Sequence, residues 1–211
     1  MIDLKVFQID SAKMITDRYA FFTNHPDRPR KGAKPRPFFQ ALSALTGAGK
    51  TPILAQAVVL MRAHFATEPI VLWMSKAKSV VAQTYTNFSG GGKYSEIIEG
   101  FRVVNIQGLN PEMITDGSTP LLLMTTTGLF NNKEQSEGTL NIYKKDNDRF
   151  GDKSPWERLI ERKSDNKRRP LLVVYDEGHN LSEQQTELLA AHQVNRLIGD
   201  GPRDGDDGLP F

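Results

Sequence analysis

The stretch Ser43-Ala44-Leu45-Thr46-Gly47-Ala48-Gly49-Lys50-Thr51 joins a short apolar run to an amphipathic segment. The run before it predicts a buried strand, and the apolar residues after it recur at helical spacing. A glycine-containing turn between a strand and a helix is the context of a phosphate-binding loop. The stretch therefore predicts a site for a phosphorylated ligand. A glycine turn at a helix start, followed by a surface lysine, is the alternative.

Each residue type in this loop has a chemical reason to be there. Gly47 and Gly49 carry no Cβ, so the backbone can fold closely around an anion. Backbone N–H groups and the dipole of the following helix direct positive charge at the phosphates. Lys50 would reach the β- and γ-phosphates, and the Thr51 hydroxyl would ligate Mg²⁺. The predicted nucleotide-binding residues of the loop are Thr46, Gly47, Ala48, Gly49, Lys50 and Thr51.

The bulk composition indicates an intracellular protein with one α/β core. The chain has 211 residues, no cysteine and a formal net charge of +2. The absence of cysteine excludes disulfides and cysteine-ligated zinc, and it suits a reducing compartment. No basic-then-apolar leader opens the sequence, and no uncharged apolar run approaches membrane-spanning length. We therefore expect a cytoplasmic protein with no membrane partner.

Alternation of two hydrophobic patterns predicts the fold class. Segments that are apolar throughout indicate buried strands, and they are separated by segments with helical periodicity. The predicted strands are 38–44, 70–74, 101–106, 120–124 and 171–175, and the predicted helices are 2–22, 50–64, 76–88, 156–161 and 182–198. This order predicts a mostly parallel sheet with helices on both faces.

We expect a single domain over residues 1–198, with 131–170 as a polar insertion. The Gly/Asp/Pro-rich stretch 199–211 is predicted to be a disordered tail or the start of a missing segment. Two basic runs, 27–37 and 162–169, are either solvated connectors or contacts to a phosphate backbone.

A pair of carboxylates follows the last predicted strand. Asp176 and Glu177 come directly after Leu171–Tyr175, at the edge where parallel α/β sheets bind ligands. Asp176 would hold Mg²⁺ opposite Thr51, and Glu177 would orient and deprotonate an attacking water. The alternative is that the acidic pair only caps the next helix. The phosphate-binding loop upstream favours the metal-and-base interpretation.

Both motifs resemble those of superfamily 2 helicases of the DEAD/DEAH-like kind. Residues 44–51 resemble motif I (A-x-T-G-x-G-K-T), and residues 176–179 resemble motif II (D-E-x-H). From Leu4 to Ile198 the chain is similar to the amino-terminal lobe of type III restriction enzyme Res subunits. The resemblance implies a RecA-like P-loop NTPase fold, a three-layer sandwich that binds ATP. Ala44 stands where the general loop pattern has its first glycine, and no Ser-Ala-Thr motif follows Asp176.

The resemblance also implies roles for residues outside the two motifs. The segment from Leu4 to Gln8 is similar to an aromatic-glutamine signature, by which Gln8 would read the adenine edge; an ordinary surface glutamine is the alternative. Further matches imply contacts with a nucleic-acid backbone, although threonines at a strand end are also common in turns. These residues are Ser75, Lys76, Thr125 and Thr126.

The implied function is an ATP-binding lobe of a helicase or translocase that uses Mg²⁺ and ATP to move along nucleic acid, with DNA favoured over RNA. The arginine fingers of such enzymes come from a second RecA-like lobe, in the same polypeptide or another subunit, so hydrolysis by this chain alone should be slow or absent. Two alternatives stay open. One is a non-catalytic module that binds a nucleotide or a partner, and the other is a stand-alone P-loop kinase or NTPase.

Overall fold

The computed structural model describes residues 3–25, 30–31, 34–43, 47–130, 140–145, 147–164, 167–176, 189 and 194–200. Its α-helices are α1 (Val6–Asn24), α2 (Lys50–Met61), α3 (Lys78–Phe88), α4 (Pro111–Thr115), α5 (Asn147–Phe150) and α6 (Pro155–Glu161). Its strands are β1 (Arg30–Lys31), β2 (Lys34–Pro35), β3 (Phe39–Ser43), β4 (Ile70–Ser75), β5 (Arg102–Asn105), β6 (Leu121–Thr126), β7 (Lys163–Ser164), β8 (Lys167–Arg168), β9 (Leu171–Asp176) and β10 (Asn195–Asp200).

A six-stranded sheet organises the molecule. Its strand order is β3-β10-β9-β4-β6-β5, and every neighbouring pair in it is parallel. The prediction of a parallel α/β sheet is confirmed. Every residue of the central strands β4 and β9 is buried, which explains why both sequences are almost continuously apolar.

Helices cover both faces of this sheet. Alternate residues of β4 point to opposite faces, so Trp73 belongs to one apolar cluster and Leu72 to the other. The first cluster includes side chains of α1, α2 and α3, and the second includes side chains of α4 and α6. Helix α2 is buried on most sides, because it lies between the sheet and α1. No helix among the described residues is long and apolar enough to cross a membrane.

Helices α1, α2, α3 and α6 occupy predicted segments, but the burial of two elements differs from what their apolar residues indicate. Phe7 is an apolar residue of α1, yet it is 48% exposed. The buried face of α1 instead carries Gln8, Ala12, Ile15, Thr16 and Tyr19. Strand β3 was predicted to be buried, but its residues alternate between exposed and half-buried. This follows from its place at the edge of the sheet, where β10 is its one partner among the described strands.

Strand β10 was not predicted. A helix was expected to run to Ile198 and a disordered tail to begin at Gly199, but Asn195–Asp200 forms a parallel strand between β3 and β9. The start of the predicted helix and residues 201–211 lie outside the described residues. The physical reason for the error is that Leu197 and Ile198 fit helical and strand periodicity equally well.

The two basic runs contain short antiparallel ladders, β1 with β2 and β7 with β8. The second run was expected to be solvated or to contact nucleic acid. Two of its arginines are neither solvated nor available to nucleic acid, because Arg162 and Arg169 are only 3% and 0% exposed. The guanidinium of Arg169 donates five hydrogen bonds at the amino-terminal edge of the sheet. Its acceptors are the carbonyl oxygens of Glu68, Pro69, Met113, Ile114 and Thr119.

Replacing this arginine should destabilise the fold. Arg169→Met removes five hydrogen bonds, although the Pro69 carbonyl keeps the Leu121 backbone N–H as a donor. Each buried polar group left unsatisfied costs about 1–3 kcal/mol. We expect urea denaturation to show a loss of about 3 kcal/mol or more in unfolding free energy. Arg168→Met is the matched control, because that exposed neighbour donates to one carbonyl only among the described residues. Equal unfolding free energies for the two variants would contradict the assignment.

Candidate active site

The glycine turn before α2 has the backbone that its sequence requires. Gly47 has φ 82°, and Gly49 has φ 78° with ψ 49°. Both lie in the left-handed region, which residues with a Cβ rarely adopt. Gly49 is the N-cap residue of α2, and no side chain among the described residues caps the helix there. The first N–H groups of α2 therefore lie at the turn, where they can bind an anion.

The two predicted metal ligands meet across the sheet edge. The Thr51 hydroxyl, in the first turn of α2, donates a hydrogen bond of 2.8 Å to Oδ2 of Asp176. Asp176 is the last residue of β9 and is 4% exposed. The two residues are 125 positions apart in the chain. A hydroxyl and a carboxylate are hard oxygen donors of the kind that Mg²⁺ prefers, so this pair fits a magnesium ion beside the glycine turn.

Of the predicted site residues Lys50, Thr46 and Glu177, the structure describes Lys50 alone. Lys50 is half-buried and is the first residue of α2, directly before Thr51. Thr46 and Glu177 lie outside the described residues. Their roles in binding phosphate and activating water stay predictions.

Gln8 connects α1 to the glycine turn. It is 9% exposed, so the alternative of a surface glutamine is wrong. Its Nε2 donates to the Ala48 carbonyl at 3.2 Å, and its Oε1 accepts from the Lys5 backbone N–H at 2.9 Å. A Cβ placed on Gly49 would clash with Gln8 Nε2. The amide thus contacts the phosphate-binding loop itself, and the predicted contact with adenine stays untested.

Strand β10 adds a residue to the site that sequence reasoning missed. Its carboxyl end lies between those of β3 and β9, because Gly199 pairs with Asp176 and Asp200 pairs with Ser43. A Cβ on Gly199 would lie 3.0 Å from Leu54 Cδ1 and 3.7 Å from Asp176 Oδ1. Glycine at this position lets α2 and the Asp176 carboxylate approach β10. The only signal in the sequence was a glycine directly after an apolar pair.

Tyr175 directly precedes Asp176, but its side chain belongs to the opposite face of the sheet. Burial raises the pKa of its phenol, and this effect exceeds the opposing one of the nearby Arg196 cation. Tyr175 therefore stays neutral at physiological pH and adds no charge beside Asp176.

The predicted nucleic-acid residues lie on the next two strands along the same edge. Ser75 ends β4 and pairs with Thr126, which ends β6. Lys76 follows Ser75 and is exposed. The Ser75 hydroxyl is buried and has no hydrogen-bond partner among the described residues. Thr125 is only 2% exposed and reaches the Thr126 carbonyl at 3.4 Å. The structure thus places Ser75, Lys76 and Thr126 at the same edge of the sheet. Thr125 is buried one residue before Thr126 in β6.

Most of the sequence matches one known protein family. A family model described as "Type III restriction enzyme, res subunit" matches residues 8–199 of the 211. The chain belongs to the type III restriction enzyme res-subunit family. Membership confirms the predicted resemblance and the RecA-like P-loop fold, and it identifies an ATP-binding, helicase-like lobe. No curated protein and no solved structure matches the chain.

The boundaries of the res-subunit match include every element of the site. The match begins at Gln8, which contacts the loop, and ends at Gly199, which lies beside Asp176. Strand β10, which was not predicted, is therefore almost wholly inside the family region.

Because Gln8 of α1 contacts the loop, alanine should be tolerated less well at Gly49 than at Gly47. Gly47→Ala adds only left-handed strain, about 1–2 kcal/mol, because no described residue beyond its chain neighbours lies within 4 Å of its Cβ position. Gly49→Ala adds the same strain and a clash with the Gln8 amide. We expect the larger loss of unfolding free energy for Gly49→Ala in urea denaturation. In a background that carries Gln8→Ala, the Gly49→Ala and Gly47→Ala substitutions should cost about the same unfolding free energy. Equal losses for the two single alanine variants would show that Gln8 does not restrict the loop.

Proposed function

We propose that this lobe binds ATP with Mg²⁺ and hydrolyses it to drive movement along nucleic acid. The hydrogen bond between Thr51 and Asp176 carries the proposal, because it joins the end of the phosphate-binding loop to the end of the acidic strand. A hydroxyl and a carboxylate held 2.8 Å apart beside a left-handed glycine turn suit a metal-bound triphosphate.

The loop would hold the phosphates. The backbone N–H groups around Gly47 and Gly49 and the start of α2 supply positive ends of dipoles. Lys50 adds a full positive charge at the position where the β- and γ-phosphates would lie. These groups act by position and charge, so the loop needs to change little when the nucleotide binds.

Thr51 and Asp176 would hold the magnesium ion, which neutralises charge on the β- and γ-phosphate oxygens when bound. Glu177, directly after Asp176 in the chain, would orient a water molecule and accept its proton. In the described structure the Thr51 hydroxyl donates to Asp176. Binding of the cation would turn the lone pairs of both oxygens toward it.

Nucleic acid would bind beside the nucleotide, at the carboxyl ends of β4 and β6. Ser75, Lys76, Thr125 and Thr126 are the proposed contacts. The Ser75 hydroxyl has no hydrogen-bond partner in the described part of the chain, which supports a ligand there. Hydroxyls and a lysine can bind phosphates without reading sequence. DNA is the proposed nucleic acid in preference to RNA, because the chain belongs to a family of restriction enzyme subunits.

Productive hydrolysis would need a second RecA-like lobe, in the same polypeptide or in another subunit. An arginine supplied to the transferring phosphoryl group contributes roughly 10³–10⁵ in rate in other phosphoryl-transfer systems. The chain alone should therefore bind nucleotide but turn it over slowly or not at all.

Nucleotide binding can be tested by thermal unfolding with Mg-ADP. At a ligand concentration about 100 times the Kd, binding should stabilise the fold by about 2.7 kcal/mol, a shift of several degrees in Tm. Lys50→Ala should remove the shift because it deletes the charge facing the phosphates. Lys13→Ala, an exposed lysine on α1, is the control and should keep it. A shift of the same size in Lys50→Ala would contradict the proposal.

Phosphate release separates turnover from binding. With DNA and the second lobe present, release should be stimulated, and Glu177→Gln should abolish it while the Mg-ADP shift remains. A shift with no release under any of these conditions would identify the non-catalytic binding module instead.

A further inference from the structure

A cavity of about 290 Å³ lies beside the nucleic-acid residues, between the start of α3 and the carboxyl ends of β5 and β6. The residues that line this cavity are partly apolar and partly polar. The apolar residues that matter here are Val81, Ile106, Met124 and Leu129. The polar ones are Lys78, Asn105, Gln107 and Thr126. Neither the described loop residues 47–51 nor Asp176 line this cavity, so it is a separate feature of the same sheet edge.

The size and lining of the cavity suit a small planar heterocycle. Ligand pockets of roughly 300–1,000 Å³ hold drug-sized molecules, so this cavity lies at the small end of the range. A flat ring with polar edges would lie with its face against the apolar part of the wall. Its edge groups would then meet the amide side chains. A helix of a protein partner would not enter a space of this volume.

Two side-chain amides at the cavity each accept a backbone hydrogen bond through their oxygen. The Asn105 Oδ1 accepts from the Gln107 backbone N–H at 3.0 Å, and the Gln107 Oε1 accepts from the Leu140 backbone N–H at 2.7 Å. Each amide also carries an NH₂ group, which can donate to ring nitrogens and carbonyl oxygens. Amide donors beside apolar side chains are features with which proteins hold an unstacked base.

The cavity also lies next to groups suited to a phosphate backbone. Lys78 is exposed and begins α3. The N-cap residue of this helix is Ala77, and no described side chain caps it, so the first N–H groups of α3 remain as donors. Lys76 lies two residues earlier. A strand whose phosphates follow Lys76 and Lys78 would bring its bases to the mouth of the cavity.

We propose that this cavity receives one unstacked nucleobase of a nucleic-acid strand bound along the carboxyl edge of β4 and β6. The proposal rests on the proposed function, because it assumes that this edge binds nucleic acid. It adds to that function a contact with a base, where the residues already considered would contact only the backbone. One nucleotide of the bound strand would be turned out of its stack and fixed in position.

Single-stranded oligonucleotides with and without one base test this directly. Fluorescence anisotropy at low salt would measure binding of a short labelled strand and of strands that carry one abasic site at each position in turn. Removing the base that occupies the cavity should weaken binding about tenfold, the equivalent of about 1.4 kcal/mol. Abasic sites elsewhere should matter much less.

Filling the cavity provides the matched variant. Ala82 lines the cavity from the exposed side of α3, so Ala82→Phe should occupy the space without disturbing the core. It should weaken binding of the intact strand about tenfold and leave binding of the critical abasic strand unchanged. Gln83→Phe adds the same ring at the next exposed position, outside the cavity, and should change neither. Unfolding temperatures near that of the unsubstituted chain confirm that both variants fold.

Three results would overturn the inference, and they differ in what else they overturn. If every abasic strand binds as tightly as the intact one, only the backbone is bound, and the cavity proposal alone fails. If a deoxynucleoside monophosphate binds more tightly than the strand and loses affinity in Ala82→Phe, the cavity takes a free nucleotide instead. If no strand binds while Mg-ADP still does, the proposed nucleic-acid function fails as well.

Discussion

The site depends on one hydrogen bond, from the Thr51 hydroxyl to the Asp176 carboxylate, and on the parallel sheet that makes it possible. In a parallel sheet all strands deliver their carboxyl ends to the same edge. Strands β3 and β9 therefore bring two distant segments of the chain together, with β10 paired between them. The buried Arg169 at the opposite edge ties together the segments that precede β4, β6 and β9, which fixes where those strands begin.

The same edge explains how two ligands could influence each other. Met74 of β4 pairs with Tyr175 of β9, so the residues that follow, Ser75 and Asp176, end neighbouring strands. The proposed nucleic-acid surface thus begins one strand away from the proposed metal site. Any shift of β9 against β4 would be opposed by a ladder that is buried along its whole length. Coupling between the two proposed sites would therefore act through α2, α3 and the loops and not through a shift of these two strands.

Much of this arrangement could be predicted from the sequence, because the relevant signals are local. The glycine turn, the apolar strands β4 and β9 and the helices α2 and α3 follow from residue type and periodicity alone. The place of β10 could not be predicted, since strand order depends on long-range pairing. The burial of Arg162 and Arg169 was missed for a related reason: their partners are backbone carbonyls, which leave no mark in the sequence. The exposure of Phe7 reflects the position of α1 against α2, which periodicity does not give.

The central claim is that Thr51 and Asp176 enclose one magnesium-bound nucleotide. A double-mutant cycle with Thr51→Val and Asp176→Asn, measured by calorimetric titration of ADP with magnesium and then with a chelator, tests it most directly. With magnesium, the double variant should lose much less affinity than the sum of the two single losses, because either change disrupts the same metal site. With chelator, all four proteins should bind ADP about equally. Additive losses that are unchanged by chelation would contradict the account.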